Sequence, residues 1–60
     1  MYNKIRAIAK EKGISIPKLE KKAGLGNGAI SKWNKSKPLV ENLKKVADVL
    51  GVSIEELLTE

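Results

Sequence analysis

Residues Ile16 to Ser36 read IPKLEKKAGLGNGAISKWNKS, and the way this stretch folds decides how the rest of the chain is read. Ile16, Leu19 and Ala23 share one helical face and Lys18, Lys21 and Lys22 the other, the pattern of a short amphipathic helix. Ser15 is placed to cap it, and Pro17 is tolerated in the first turn, where no amide partner is missed. Gly24 stops this helix, Leu25 follows as an apolar anchor, and Gly26 opens a second helix over about residues 27–35. On a helical wheel Asn27, Gly28, Ser31, Lys32 and Lys35 fall within one arc of about 140°. Ala29, Ile30 and Trp33 fall on the opposite side. A helix packed through Ile30 and Trp33 therefore presents Asn, Ser and Lys outward together.

Working outward, the flanks read as helices too. Ile5, Ile8 and Ala9 place a first helix over about Asn3–Lys12, with Gly13 able to take the left-handed position that ends it and Ile14 tucking back into the core. Ser36, Lys37 and Pro38 form a loop, because proline biases its predecessor away from helix. Leu43, Val46, Ala47 and Leu50 give a fourth helix over about Val40–Leu50, stopped by Gly51. Ser53 with Glu56 forms a capping box for a short fifth helix carrying Ile54, Leu57 and Leu58. No segment alternates with a period of two, so the fold class is all-α: five short helices within one domain, residues 1–60.

Composition narrows the chemistry. With no cysteine, no histidine and a single aspartate, there is no disulfide, no thiolate site and no ligand set for zinc or iron. No apolar run approaches a membrane span, and MYNKIRAIAKEKG lacks a signal-peptide core, so a cytoplasmic location is expected. The net charge of +5 is unevenly spread: +3 over residues 1–17, +5 over residues 18–37 and −3 over residues 38–60. The basic part coincides with the two central helices, as expected of a polyanion binder. A solvated lysine surface would carry the same charge.

Each conspicuous motif has a plainer reading. GLGNG (Gly24–Gly28) resembles a phosphate-cradling loop, but no strand precedes it and Ala29-Ile30 follows where such loops need Lys and Ser or Thr. Its glycines serve the backbone instead: Gly24 for the turn, Gly26 as a cap, Gly28 for close approach. Trp33 lies on the core arc rather than on a base-stacking surface, and Tyr2 is the only other aromatic residue, which leaves no platform for single strands or RNA. With no histidine and no base near any serine, acid–base and nucleophilic catalysis have no residues to carry them, and no enzyme is expected. The helix–Gly turn–helix spacing is the DNA-reading arrangement. An ordinary helical hairpin would share that spacing but would not gather lysines around the second helix and its exit loop.

These residues resemble the Cro/cI-type helix-turn-helix family (lambda-repressor-like, also called the XRE family) over essentially the whole chain. The matching features are IRAIAKEKGIS, PKLEKKAG, the Gly24-Leu25 turn, ISKW at Ile30–Trp33, and Pro38 before LKKVADVLGVSIEELL. The resemblance implies a compact five-helix bundle that binds operator DNA, usually as a dimer, in phage or bacterial transcription control. Asn27, Gly28 and Ser31 sit where the family reads bases, with Lys32 beside them. Lys35, Ser36 and Lys37 occupy the exit loop that contacts phosphates in the family, and Lys18 could add a further phosphate contact. Three positions depart from the pattern: Glu20 replaces an alanine, Ile16 a phosphate-binding glutamine, and Leu39 a capping Ser or Thr. Glu20 lies at the edge of the apolar arc. It either accepts hydrogen bonds from the amides opening the second helix or from the Trp33 indole, or faces solvent beside a lysine.

The expected function is sequence-specific binding of double-stranded DNA by a transcriptional regulator, most simply a repressor, with the segment 27–35 in the major groove. The expected partners are an operator, as an inverted repeat, and a second copy of the chain, with no cofactor, metal or membrane. The alternative is a protein-interaction module (an antitoxin or accessory subunit) that docks through the acidic helix 4–5 end. An apolar patch exposed at Val49, Ile54 or Leu58 would favour it.

Overall fold

The computed structural model describes residues 1–58; Thr59 and Glu60, counted in the domain and the charge above, lie outside the described residues. Four α-helices follow one another: α1 (Tyr2–Glu11), α2 (Ile16–Lys22), α3 (Val40–Leu50) and α4 (Ile54–Leu58). A 3-10 helix at Ser31–Asn34 lies between α2 and α3. Among the described residues there is no strand, and no helix is long and apolar enough to cross a membrane.

Three of the helices stop in the same way. Gly13, Gly24 and Gly51 take φ of 73°, 73° and 71°, a left-handed bend that a side chain would strain. In each case the next residue is apolar, and its amide reaches back five residues in the Schellman pattern. Ile14 donates to Ala9 at 2.9 Å, Leu25 to Glu20 at 2.8 Å and Val52 to Ala47 at 3.0 Å. The three apolar residues then pack against the core, so each stop also aims the chain inward. At the starts, the Ser15 hydroxyl accepts from the Lys18 amide and the Ser53 hydroxyl from the Glu56 amide, both at 3.3 Å. Leu39, at the start of α3, makes no side-chain cap.

The core draws on every element. Ile5 and Ala9 come from α1, Leu19 from α2, Ile30 and Trp33 from the segment before α3, and Leu43, Val46, Ala47 and Leu50 from α3. Leu57 is the fully buried residue of α4, and Ile54 packs against the core beside it. α1 touches both α2 and the 3-10 helix, while α3 lies against α2 and α4. This arrangement seats the segment 26–36 on the body through two large side chains, Ile30 and Trp33, with Gly28 and Ala29 half-buried and its other residues exposed.

The α-helix expected over residues 27–35 does not form. Residues 27–30 are turns, and only Ser31–Asn34 continues as a 3-10 helix. The reason is local. Gly28 sits at φ +84°, outside any right-handed helix, and the bonds that close this stretch span three residues rather than four. Ala29 donates to Gly26 at 3.1 Å, and Trp33 donates to Ile30 at 3.0 Å. Ile30 and Trp33 are nevertheless buried and Asn27, Ser31 and Lys32 exposed, since residues three apart also fall on one side of a 3-10 turn.

Candidate nucleic-acid interface

What holds the segment is a carboxylate. Glu20, on α2, is 3% exposed, the one buried charged side chain among the described residues. The Gly28 amide donates to its Oε1 at 3.0 Å and the Ile30 amide donates to its Oε2 at 2.9 Å. Of the two sequence readings of Glu20, the contact with the amides opening the segment is the one observed. Hydrogen bonds to an ionised acceptor are about twice as strong as neutral ones. The same residue's carbonyl accepts from Leu25, so Glu20 ties both the turn and the segment to α2.

Asn27, Ser31 and Lys32 are exposed on this segment, with no hydrogen bond to their side chains among the described residues. Gly28 is half-buried and its amide is committed to Glu20, so what it can offer a ligand is a bare backbone rather than a donor. At the exit, the Lys32 carbonyl accepts from the Ser36 amide at 3.0 Å and from the Ser36 hydroxyl at 3.1 Å. Both donors of Ser36 thus close the loop. Lys35 and Lys37 stay exposed and border, with Met1, Trp33 and Pro38, a recess of about 270 Å³.

Lys18 is placed elsewhere. It borders a recess of about 240 Å³ together with Lys12, Lys22 and Val49, a different one from that beside the exit-loop lysines. Lys21, which the sequence reading did not single out, borders a third recess with Asn27, Pro17 and Glu20. Only its position one turn after Pro17 hinted at this. Of the apolar residues that would carry a docking face at the acidic end, Val49 and Ile54 are half-buried against the core and Leu58 is 56% exposed.

The body of helices thus presents a tethered segment with an outward set of Asn, Ser and Lys, flanked by free lysines. A family model described as the Cro/C1-type HTH DNA-binding domain matches residues 4–59. The chain belongs to the Cro/C1-type helix-turn-helix family. Among curated proteins it is similar to the HTH-type transcriptional regulator SinR of Bacillus licheniformis, 37% identical over 60 residues that cover 95% of this chain and 54% of that protein. SinR of Bacillus subtilis (strain 168) matches with the same identity and coverage. The chain therefore spans about half the length of the curated relatives it matches. The stretch that the sequence marks as helix, glycine turn and helix is in the structure α2, the Gly24-Leu25 turn and the 26–36 segment, whose helical part is the 3-10 helix Ser31–Asn34.

Proposed function

We propose that this chain binds double-stranded DNA sequence-specifically, without catalysis, as the DNA-reading part of a cytoplasmic transcriptional regulator, most simply a repressor. Asn27, Ser31 and Lys32 read base edges in the major groove, Asn and Ser as donors and acceptors and Lys as a donor to guanine or a phosphate. Gly28 lets the backbone approach closely. Lys35 and Lys37 hold phosphates beside the exit loop shaped by Ser36, and Lys18 adds a contact from α2. One such surface per chain binds weakly, so the working unit is a homodimer on an inverted repeat, all residues 1–60 acting as one domain.

The observation that carries this reading is the exposure of Asn27, Ser31 and Lys32 on one segment whose apolar residues Ile30 and Trp33 are buried. It is supported by membership of a DNA-binding family. The test is a selection of binders from a random duplex pool at physiological salt. An enriched inverted repeat with half-sites about one helical turn apart is the expected result. Salt-sensitive retention of all sequences with no enrichment would refute it and favour the interaction module.

A further inference from the structure

We infer that Glu20 is a positioning residue for sequence readout: its carboxylate sets the conformation in which Asn27, Ser31 and Lys32 reach base edges. This rests on the DNA-binding reading above and adds a determinant of specificity that touches no base.

The segment has little else to define its shape. It carries glycines at positions 26 and 28 and has no α-helical hydrogen bonds before the 3-10 helix. Ile30 and Trp33 anchor its far half. Its near half, which carries Asn27, has a single three-residue turn bond, from Ala29 to Gly26. The two bonds from Gly28 and Ile30 to one rigid carboxylate supply the missing constraint, because two points fixed on a planar group fix direction as well as distance. Gly28 held at φ +84° is the outcome, and that bend aims the Asn27 side chain relative to Ser31 and Lys32. The anion also satisfies amides that would otherwise attract a phosphate, so the generic hold on DNA falls to the lysines and readout to the fixed face.

Charge and position make opposite predictions. Glu20→Gln removes a negative charge beside a polyanion ligand, so electrostatics alone would tighten binding to every duplex. It also leaves one amide facing an NH₂ group instead of an oxygen, which frees the near half. If the competent conformer falls to about one-tenth of the population, the apparent affinity for the operator falls about tenfold. Non-specific affinity, set by lysines, stays level or rises.

The experiment selects an operator with the parent chain, then measures operator and scrambled-duplex affinity for the parent, Glu20→Gln and Glu41→Gln well below their melting temperatures. Glu41 is exposed on α3 and controls for the lost charge. The expected result is an operator-to-scrambled ratio lowered about tenfold in Glu20→Gln alone, with faster hydrogen exchange at Gly28 and Ile30 but not in α3. An unchanged ratio in a folded Glu20→Gln chain overturns the proposal and leaves the DNA-binding reading intact. A parent that selects no operator overturns both.

Discussion

Replacing two neighbouring glycines by alanine gives effects of opposite sign. Gly28 lies at φ +84°, whereas Gly26 has no positive φ, and an added Cβ meets nothing within 4 Å at either position. Steric clash therefore drops out and only backbone preference remains. At Gly28, alanine must hold a left-handed conformation, at about 1–2 kcal/mol. At Gly26, alanine reduces the freedom of the unfolded chain and stabilises by about 0.4–1 kcal/mol. One kcal/mol moves the Tm of a chain this size by about 4–8 °C. Thermal unfolding followed by far-UV circular dichroism should thus lower the Tm of Gly28→Ala by about 4–16 °C and raise that of Gly26→Ala by a few degrees. Gly28→Asn should fall between Gly28→Ala and the parent, since asparagine tolerates the left-handed region better than alanine. The refuting result is clear. Were residues 27–35 an α-helix, Gly28→Ala would stabilise by about 1 kcal/mol, because glycine is the poorer helix former. A higher Tm for Gly28→Ala would mean that the turn and the 3-10 helix are not the solution structure.

Five further outcomes follow from the same structure. Glu20→Leu leaves the Gly28 and Ile30 amides without their acceptor, which should cost about 2–4 kcal/mol in urea titrations, a large part of the roughly 3–9 kcal/mol available to a chain of this length; an unshifted midpoint would show that those bonds contribute nothing. Leu39→Asp provides the missing cap for α3 and removes an apolar side chain that is 65% exposed, so it should stabilise by about 1 kcal/mol, and a lower Tm would contradict it. Leu57→Ala, emptying a fully buried site in α4, should cost about 2–5 kcal/mol, read as a lower denaturation midpoint. Lys35→Ala or Lys37→Ala should weaken operator and scrambled duplex alike and reduce the slope of log affinity against log salt by about 1. Lys32→Ala should instead change which sequences are selected, and a Lys35→Ala chain with altered preference but unaltered generic affinity would reverse those roles.

The regular helices were legible because their signals are local. α3 runs Val40–Leu50 as its apolar spacing and Gly51 required, and α1 differs from expectation by one residue at each end. Gly13, Gly24 and Gly51 marked the stops for the same reason. The segment 27–35 was only half legible. Its apolar residues are three apart, a spacing common to α and 3-10 turns, and nothing in a pattern of residue types reveals the sign of φ at Gly28. Glu20 could be narrowed to two roles, since its edge position showed that it faced the segment or the solvent. Which recess each lysine borders depends on how α1, α2 and α3 meet, so Lys18 parts from Lys35 and Lys37 only in three dimensions.

The Glu20 carboxylate grips main-chain N–H groups, which every residue except proline possesses. Its hold is therefore indifferent to what stands at positions 27, 31 and 32, whose side chains are exposed and free of internal hydrogen bonds. Mutations there can accumulate without penalty to the body of the protein. On the DNA-binding reading proposed above, the preferred target could then change through folded intermediates, whereas a change at position 20 would take away the acceptor that holds two main-chain amides at once.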